Sequence, residues 1–257
     1  MASDSGGVVH FDVRTPLDSE TIRTHIQSAL SRGLDEVDIA APRDDRLTIV
    51  ANGPSALKAP LTEPLIGRGP TLAINNALRL FVDRGIAPDY WMASDPQACV
   101  ADYLRGAPSE TTYLVASKCH PAVFDALRDR RVVLWHCAEQ GTLDLLIGRL
   151  VIQSSITVTL CALNLMPVLG YRRLDTWGWD GCYLAERDHA AAQPHYRDRA
   201  SDITIEVGPG QHFITTASWA AEAQEAVRLF ESVPRDVTVH GGGMIAAILN
   251  RFGFRAT

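Results

Sequence analysis

VANGPSAL, residues 50–57, is where an apolar run breaks off into Asn52-Gly53-Pro54-Ser55 before apolar residues resume. The run it ends, LTIVA (47–51), is short and bracketed by turn formers, the pattern of a central strand in a parallel sheet. Leaving such a strand through Asn, Gly, Pro and Ser has two readings. One is a tight turn with Pro at its second position. The other is a loop whose backbone N–H groups face a ligand phosphate. Gly lets a ligand approach the backbone closely, and Ser can cap a helix whose N-terminus favours an anion.

Outward from this stretch the pattern repeats. TLAI (71–74) runs into Asn75-Asn76 and then the helical ALRLFVDRG. WMAS (91–94) ends at Asp95. TYLVAS (112–117) and VVLW (132–135) flank the helical PAVFDALRD. After Ser154-Ser155 comes ITVTLCALNLMPVLG (156–170), read as a buried helix, and then LDTWGWD (174–180), a strand with a polar tip. SWAAEAQEAVRLFESV is a strong helix, VTVH (237–240) a strand, and GGGMIAAILNRFG a final helix. Short apolar runs alternating with helical segments predict an α/β, Rossmann-like open parallel sheet with helices on both faces. Residues 1–45 read as a helical lead-in, with Ile22, Ile26 and Leu30 on one face of a helix closed by Gly33; residues 46–257 read as one domain. The pattern fades between about 180 and 212, where ITIEV (203–207) is the one candidate strand, so this stretch is expected to be a lid-like insertion.

Composition narrows the class. The chain has 257 residues, 46% hydrophobic and 21% charged, enough to bury a core without staples. A net charge of -6 gives no reason to expect a nucleic-acid partner. Five cysteines without C-x-x-C spacing argue against a disulfide framework and a zinc ribbon, and make a reducing cytoplasm the simplest compartment. The N-terminus lacks the basic start and apolar core of a signal peptide, and 156–170 is too short to span a bilayer. Phe252 and Phe254 either close the core or pack on a second subunit, leaving a homo-oligomer open.

In open parallel sheets ligands bind outside the carboxyl ends of the strands. The residues standing there are Asn52-Gly53-Pro54-Ser55, Asn75-Asn76, Asp95, Asp180 and Gly241-Gly242-Gly243: small, amide or acidic groups that together suggest a pocket rim. The chain has neither G-x-x-x-x-G-K-[ST] nor G-x-G-x-x-G, so neither a P-loop nor the usual dinucleotide fingerprint is indicated. HGGG (240–243) without G-x-S-x-G does not make a serine hydrolase. His189, His195, His212 and His240 show no metal-ligand spacing, but a general base is most often His, and His189 or His212 would serve if the insertion folds over the pocket.

Taken together, NGPS, AINNALRLFVDRGIAPDYWMASD (73–95) and SSITVTLCALNLMPVLGYRRLDTWGWDGCY (154–183) resemble the 6-hydroxymethylpterin diphosphokinase MptE-like family. That group is related to the glycosyltransferase domain of flagellar motility-associated factors, and the same blocks resemble bacterial lipooligosaccharide sialyltransferases. The resemblance spans roughly residues 45–245. In its sialyltransferase-like branch it implies that Asn52, Gly53, Ser55 and Asn75 hold a cytidine nucleotide-sugar. Ser154 or Ser155 would stand near the phosphate, and His212 would act as general base without a metal, with Tyr183 and Tyr196 as candidates to assist the departing phosphate. In the pterin branch it implies diphosphate transfer from ATP to a pterin alcohol with magnesium, which needs clustered carboxylates. ASDPQ offers a single Asp95 there, and Asp180 and Asp188 would have to contribute from elsewhere.

Three readings follow. The first is a glycosyltransferase that moves a sugar from a nucleotide-sugar donor to an acceptor hydroxyl. Asn52 to Ser55, Asn75 and Asn76 would lie along the nucleotide, His212 or His189 would be the base, Asp95 would orient sugar or acceptor, and no cofactor would be required. The second is a magnesium-dependent diphosphokinase with Asp95 and Asp180 on the metal. The third is a nucleotide-binding module without catalysis.

Overall fold

In the computed structural model, which describes residues 17–61, 69–185, 187–192, 202–232 and 236–257, LTIVA forms the buried half of a central strand. The strands are β1 (Asp35–Glu36), β2 (Arg43–Val50), β3 (Thr71–Ile74), β4 (Tyr90–Ala93), β5 (Thr112–Ala116) and β6 (Arg131–Cys137). They continue with β7 (Val151–Ile152), β8 (Tyr171–Trp177), β9 (Asp202–Gly208), β10 (Gln211–Thr216) and β11 (Asp236–Val239). Nine of them make one sheet in the order β1-β6-β5-β4-β3-β2-β8-β11, with β7 paired to the end of β6. Every pairing in it is parallel. The α-helices packed around it are α1 (Ser19–Leu30), α2 (Leu78–Val82), α3 (Pro121–Ala126), α4 (Val158–Val168), α5 (Ala217–Ser232) and α6 (Met244–Arg251). The Rossmann-like α/β class expected from the sequence is the one observed.

Leu47, Thr48, Ile49 and Val50 are all buried, so both faces of β2 are covered, since successive side chains point to opposite faces. The strand begins four residues before LTIVA. Arg43 and Arg46 pair in register with Tyr171 and Arg173 on β8, and Arg46 bridges Asp175 and Asp236 at 3.3 and 3.1 Å. Charged side chains hid that half of the strand from the apolar pattern.

The lead-in is joined to the sheet. Asp18 caps α1 by accepting from the Thr21 N–H at 2.8 Å, Ile22 and Ile26 pack with Leu146, and β1 adds parallel to β6. Helix α4 is buried nearly all round, in keeping with its apolar sequence. The stretch read as an insertion contains an antiparallel hairpin, β9–β10, of which ITIEV supplied the first strand and GQHFITT an unexpected second. Phe254 packs edge-on against Phe230 with ring centroids 5.3 Å apart, whereas Phe252 is 56% exposed. Among the described residues no helix is long and apolar enough to cross a membrane.

The chain steps outward from β2 through β3, β4, β5 and β6, then returns to lay β8 and β11 on the other side of β2. The sheet therefore reverses direction between β2 and β8, and a crevice opens beyond the carboxyl ends of such strands. Three loops meet there. The Gly53 N–H donates to the Gly178 carbonyl at 2.8 Å, the Ser55 N–H to Asp180 Oδ2 at 2.8 Å, and the Gly178 N–H to Ser55 Oγ at 3.1 Å. A Cβ on Gly53 would lie 2.4 Å from the Gly178 oxygen, and one on Gly243 would lie 2.5 Å from Asp180 Cα. The glycines of NGPS and HGGG let three loop backbones touch.

Gly243→Ala is expected to destabilise the fold by about 1–3 kcal/mol through overpacking. Gly242→Ala, whose added Cβ meets nothing within 4 Å, is expected to stay within about 0.5 kcal/mol of wild type. Urea midpoints of the two variants check this, and equal midpoints would remove the steric account.

Candidate functional site

Two cavities, of about 160 and 620 Å³, lie along the carboxyl edge of the sheet and share Asn75, Thr157, Val158 and Trp219 in their walls. The smaller sits at the β2/β8 reversal and includes Asn52, Gly53, Asp180, Asp188, His189 and Glu222. The larger spreads past β4, β5 and β6 and includes Asp95, Lys118, Glu139, Ser154, Ser155 and Glu225.

Asn75 stands at the junction. It follows β3 with φ 48, a left-handed conformation that Asn tolerates better than most residues. Its carbonyl accepts from Trp91 Nε1 at 2.8 Å, while its side-chain Oδ1 is buried without a partner. An orphaned polar atom costs about 1–3 kcal/mol, and this one belongs to a residue lining both cavities.

The other amides have a different use. Asn52 grips residue 191 with both side-chain ends: Nδ2 donates to the Ala191 carbonyl at 3.1 Å and Oδ1 accepts from its N–H at 3.0 Å. The Asn52 carbonyl accepts from Ala190 N–H at 2.7 Å, and Asn76 Nδ2 donates to the Ala192 carbonyl at 2.9 Å. These bonds strap residues 190–192 across the sheet edge. His189, immediately before the strap, enters the smaller cavity beside the Trp219 ring, with centroids 6.2 Å apart. Its Nδ1 lies 3.4 Å from Asp188 Oδ2, at ion-pair range but without hydrogen-bond geometry. Burial lowers the His189 pKa against the opposing pull of Asp188, which keeps the imidazole neutral and able to take a proton.

The remaining expected residues divide as follows. Gly53, Pro54 and Ser55 form the tight turn, and the Gly53 and Ser55 N–H groups point into the protein rather than at a ligand. Asp180 is 2% exposed and anchors Ser55; burial raises its pKa, against the Ser55 N–H. Asp95 accepts from the Gln97 N–H at 2.9 Å in the larger cavity. Ser154 Oγ donates to Glu139 Oε1 at 2.8 Å, and Ser155 Oγ accepts from Asn164 Nδ2 at 3.2 Å. Tyr183 donates to Asp202 at 2.9 Å and meets Trp219 edge-on. His212 is exposed on β10 and lines neither cavity. His240 stacks on Trp177 at 4.5 Å, outside both. His195 and Tyr196 lie outside the described residues.

Among the lining residues that sequence reading did not single out are Lys118, Glu139, Trp219 and Glu222. Lys118 is 7% exposed and paired with Glu139. Burial alone would lower the Lys118 pKa, but the groups facing it, Cys137 and Glu139, raise it. Trp219 lines both cavities. Glu222, 3% exposed, accepts from Thr157 Oγ1 and from Trp179 Nε1, the latter at 2.6 Å. Burial lifts its pKa to about 7, against the two donors. The signal was present: Glu222, Ala226 and Phe230 fall at four-residue spacing on the buried face of α5.

No protein-family model matches the chain, and no curated protein matches it. Among solved structures it is similar to a MAf glycosyltransferase from Magnetospirillum magneticum AMB-1, with a TM-score of 0.71 and 19% identity over 93% of this chain. The chain spans 38% of the length of that protein. At this identity the likeness establishes the fold.

Glu222 sets a pH dependence of stability. Its folded pKa of about 7 lies above the ordinary 4.5, so its contribution is fully present below about pH 4.5 and is lost as pH rises through about 7. The gap corresponds to roughly 3 kcal/mol. The melting temperature of wild type is expected to fall relative to Glu222→Gln across this window; parallel curves would contradict the assignment.

Proposed function

We propose that this chain is a transferase that moves a sugar from a nucleotide-sugar donor to an acceptor hydroxyl. The observation that carries the reading is the buried, unpartnered Oδ1 of Asn75 at the junction of two cavities on the reversal edge of a parallel sheet. A transferase needs such a junction, with donor on one side and acceptor on the other, and an orphaned acceptor atom between them suits a ligand hydroxyl or amino group. The fold shared with a MAf glycosyltransferase supports it.

In this reading the nucleotide lies over the β2/β8 reversal, near Asn75 and the head of α4. Ser154 and Ser155 face the acceptor side together with Asp95. Asn52 and Asn76 serve the ligand indirectly, by holding the 190–192 strap that shields the donor from water. His189 is the general base rather than His212, because its imidazole, kept neutral by burial, lines the crevice beside Trp219, which borders both cavities, whereas His212 lines neither. The magnesium-dependent diphosphokinase reading needs Asp95 and Asp180 to act together. Asp180 is turned onto the Ser55 N–H and Asp95 lines the other cavity, so no observation favours it.

A thermal-shift panel of CMP, UDP, GDP, ADP and ATP, each with and without magnesium, tests the reading. A nucleotide that forms part of a sugar donor is expected to raise the melting temperature without magnesium. A response to ATP alone, and only with magnesium, would replace the transferase by the diphosphokinase. Asn75→Gly fits the left-handed backbone and removes the orphaned atom. It is expected to preserve or raise the melting temperature of the free protein while weakening nucleotide binding about tenfold. Loss of stability together with unchanged binding would make Asn75 a packing residue. With the donor in hand, His189→Ala is expected to lower turnover by about 10²–10⁴-fold, and a larger loss in His212→Ala would return the base to β10.

A further inference from the structure

The described walls of the crevice offer few cations to a phosphate. Among the described residues lining it, Lys118 is the one lysine or arginine, and it is already paired with Glu139 in the larger cavity. The smaller cavity contains Asp180, Asp188, His189 and Glu222. A third ionised carboxylate there would repel an anionic ligand. The bonding of Glu222 offers another state. Both of its donors converge on Oε1: the Trp179 indole N–H, which can only donate, and the Thr157 hydroxyl, whose oxygen already accepts from the Leu160 N–H. No hydrogen bond from a described residue reaches Oε2. The Trp179 N–H, which can only donate, makes Oε1 an acceptor, so the proton of a neutral carboxyl is assigned to Oε2.

We infer that Glu222 meets the ligand as a neutral carboxylic acid, donating an Oε2–H hydrogen bond to a phosphoryl oxygen in the smaller cavity beside the head of α4. This rests on the nucleotide-binding reading and adds to it the group that recognises the phosphate. The surroundings favour the neutral acid. Burial in α5 opposes charge, and Glu225 on the same helix adds a like charge. Asp188 and His189 face the cavity from the strap side and Asp180 from the loop after β8. The two donors to Oε1 pull the other way and are outweighed. Because the bound state holds the proton, affinity falls as pH rises through about 7.

The test is calorimetric titration of the whole chain with CMP and with sulfate, a phosphoryl mimic of constant charge, at about pH 6 and about pH 8. Wild type is expected to lose about tenfold in affinity for sulfate between them, and Glu222→Gln, which keeps an acceptor and supplies an N–H donor, to bind sulfate alike at both. Glu222→Ala is expected to bind weakly at both. If Glu222→Ala fails to fold, the glutamine comparison decides alone. If CMP binds wild type and Glu222→Gln with the same pH dependence, the inference is overturned and the nucleotide reading stands. If CMP binds neither protein while sulfate shows the expected contrast, the nucleotide reading fails and the role of Glu222 stands. Binding by neither probe overturns both.

Discussion

The bond from the Ser55 N–H to the buried carboxylate of Asp180 is the constraint on which the rest of the edge depends. It joins the loop after β2 to the loop after β8 at the point where the sheet changes direction. The loop after β11 closes on the same residue, because the Ile245 N–H donates to the Asp180 carbonyl at 3.1 Å and Gly243 lies against Asp180 Cα. A buried carboxylate disfavours its own charge, and the Ser55 N–H partly offsets that. The glycines are what allow the contact. Without a Cβ at 53 and 243, three backbones approach at distances no other residue permits.

From that fixed point the crevice acquires its shape. Asn52 leaves the anchored turn and holds Ala190 and Ala191, and Asn76 holds Ala192. His189 is therefore positioned both by the hydrogen bonds that hold the following residues, 190–192, and by the Trp219 ring beside it. On the opposite wall, Glu222 ties α5 to the cap of α4 and to Trp179. This separates two kinds of polar residue at the sheet edge: those that bind other parts of the chain, and those, such as Asn75, that line the cavities and keep a buried atom without a partner.

Much of the fold was legible in the sequence. TLAI was read with its observed bounds, and β4, β5, β6, β8, β9 and β11 within a few residues, whereas the two-residue β7 was not read; a strand covered on both faces must be an apolar run. The misses have physical reasons. Arg43 to Arg46 pair within the sheet through charged side chains that reach solvent and ion partners. The second strand of the hairpin, GQHFITT, is half exposed and carries too little apolar signal. The site was legible in outline only. The five loops were placed at the correct edge, but His212 was favoured from its position before a helix, whereas its strand holds it exposed and off the cavities.

The sequence by itself determined the order of strands and helices, the parallel α/β class and the edge at which polar residues gather. Those follow from local periodicity and from the need to bury apolar runs. Only the tertiary structure decided what each polar residue does. Asn52 and Ala191 are 139 residues apart, and Ser55 and Asp180 are 125 apart. Whether an amide or carboxylate is satisfied, buried or left facing a cavity depends on partners at such distances. Asn75 and Asn76 are neighbours of the same type, yet one holds the strap and the other keeps a buried oxygen without a partner. Glu222 reads as one more polar residue of an amphipathic helix until the fold turns it inward, where burial, against two donors on one oxygen, lifts its pKa to about 7.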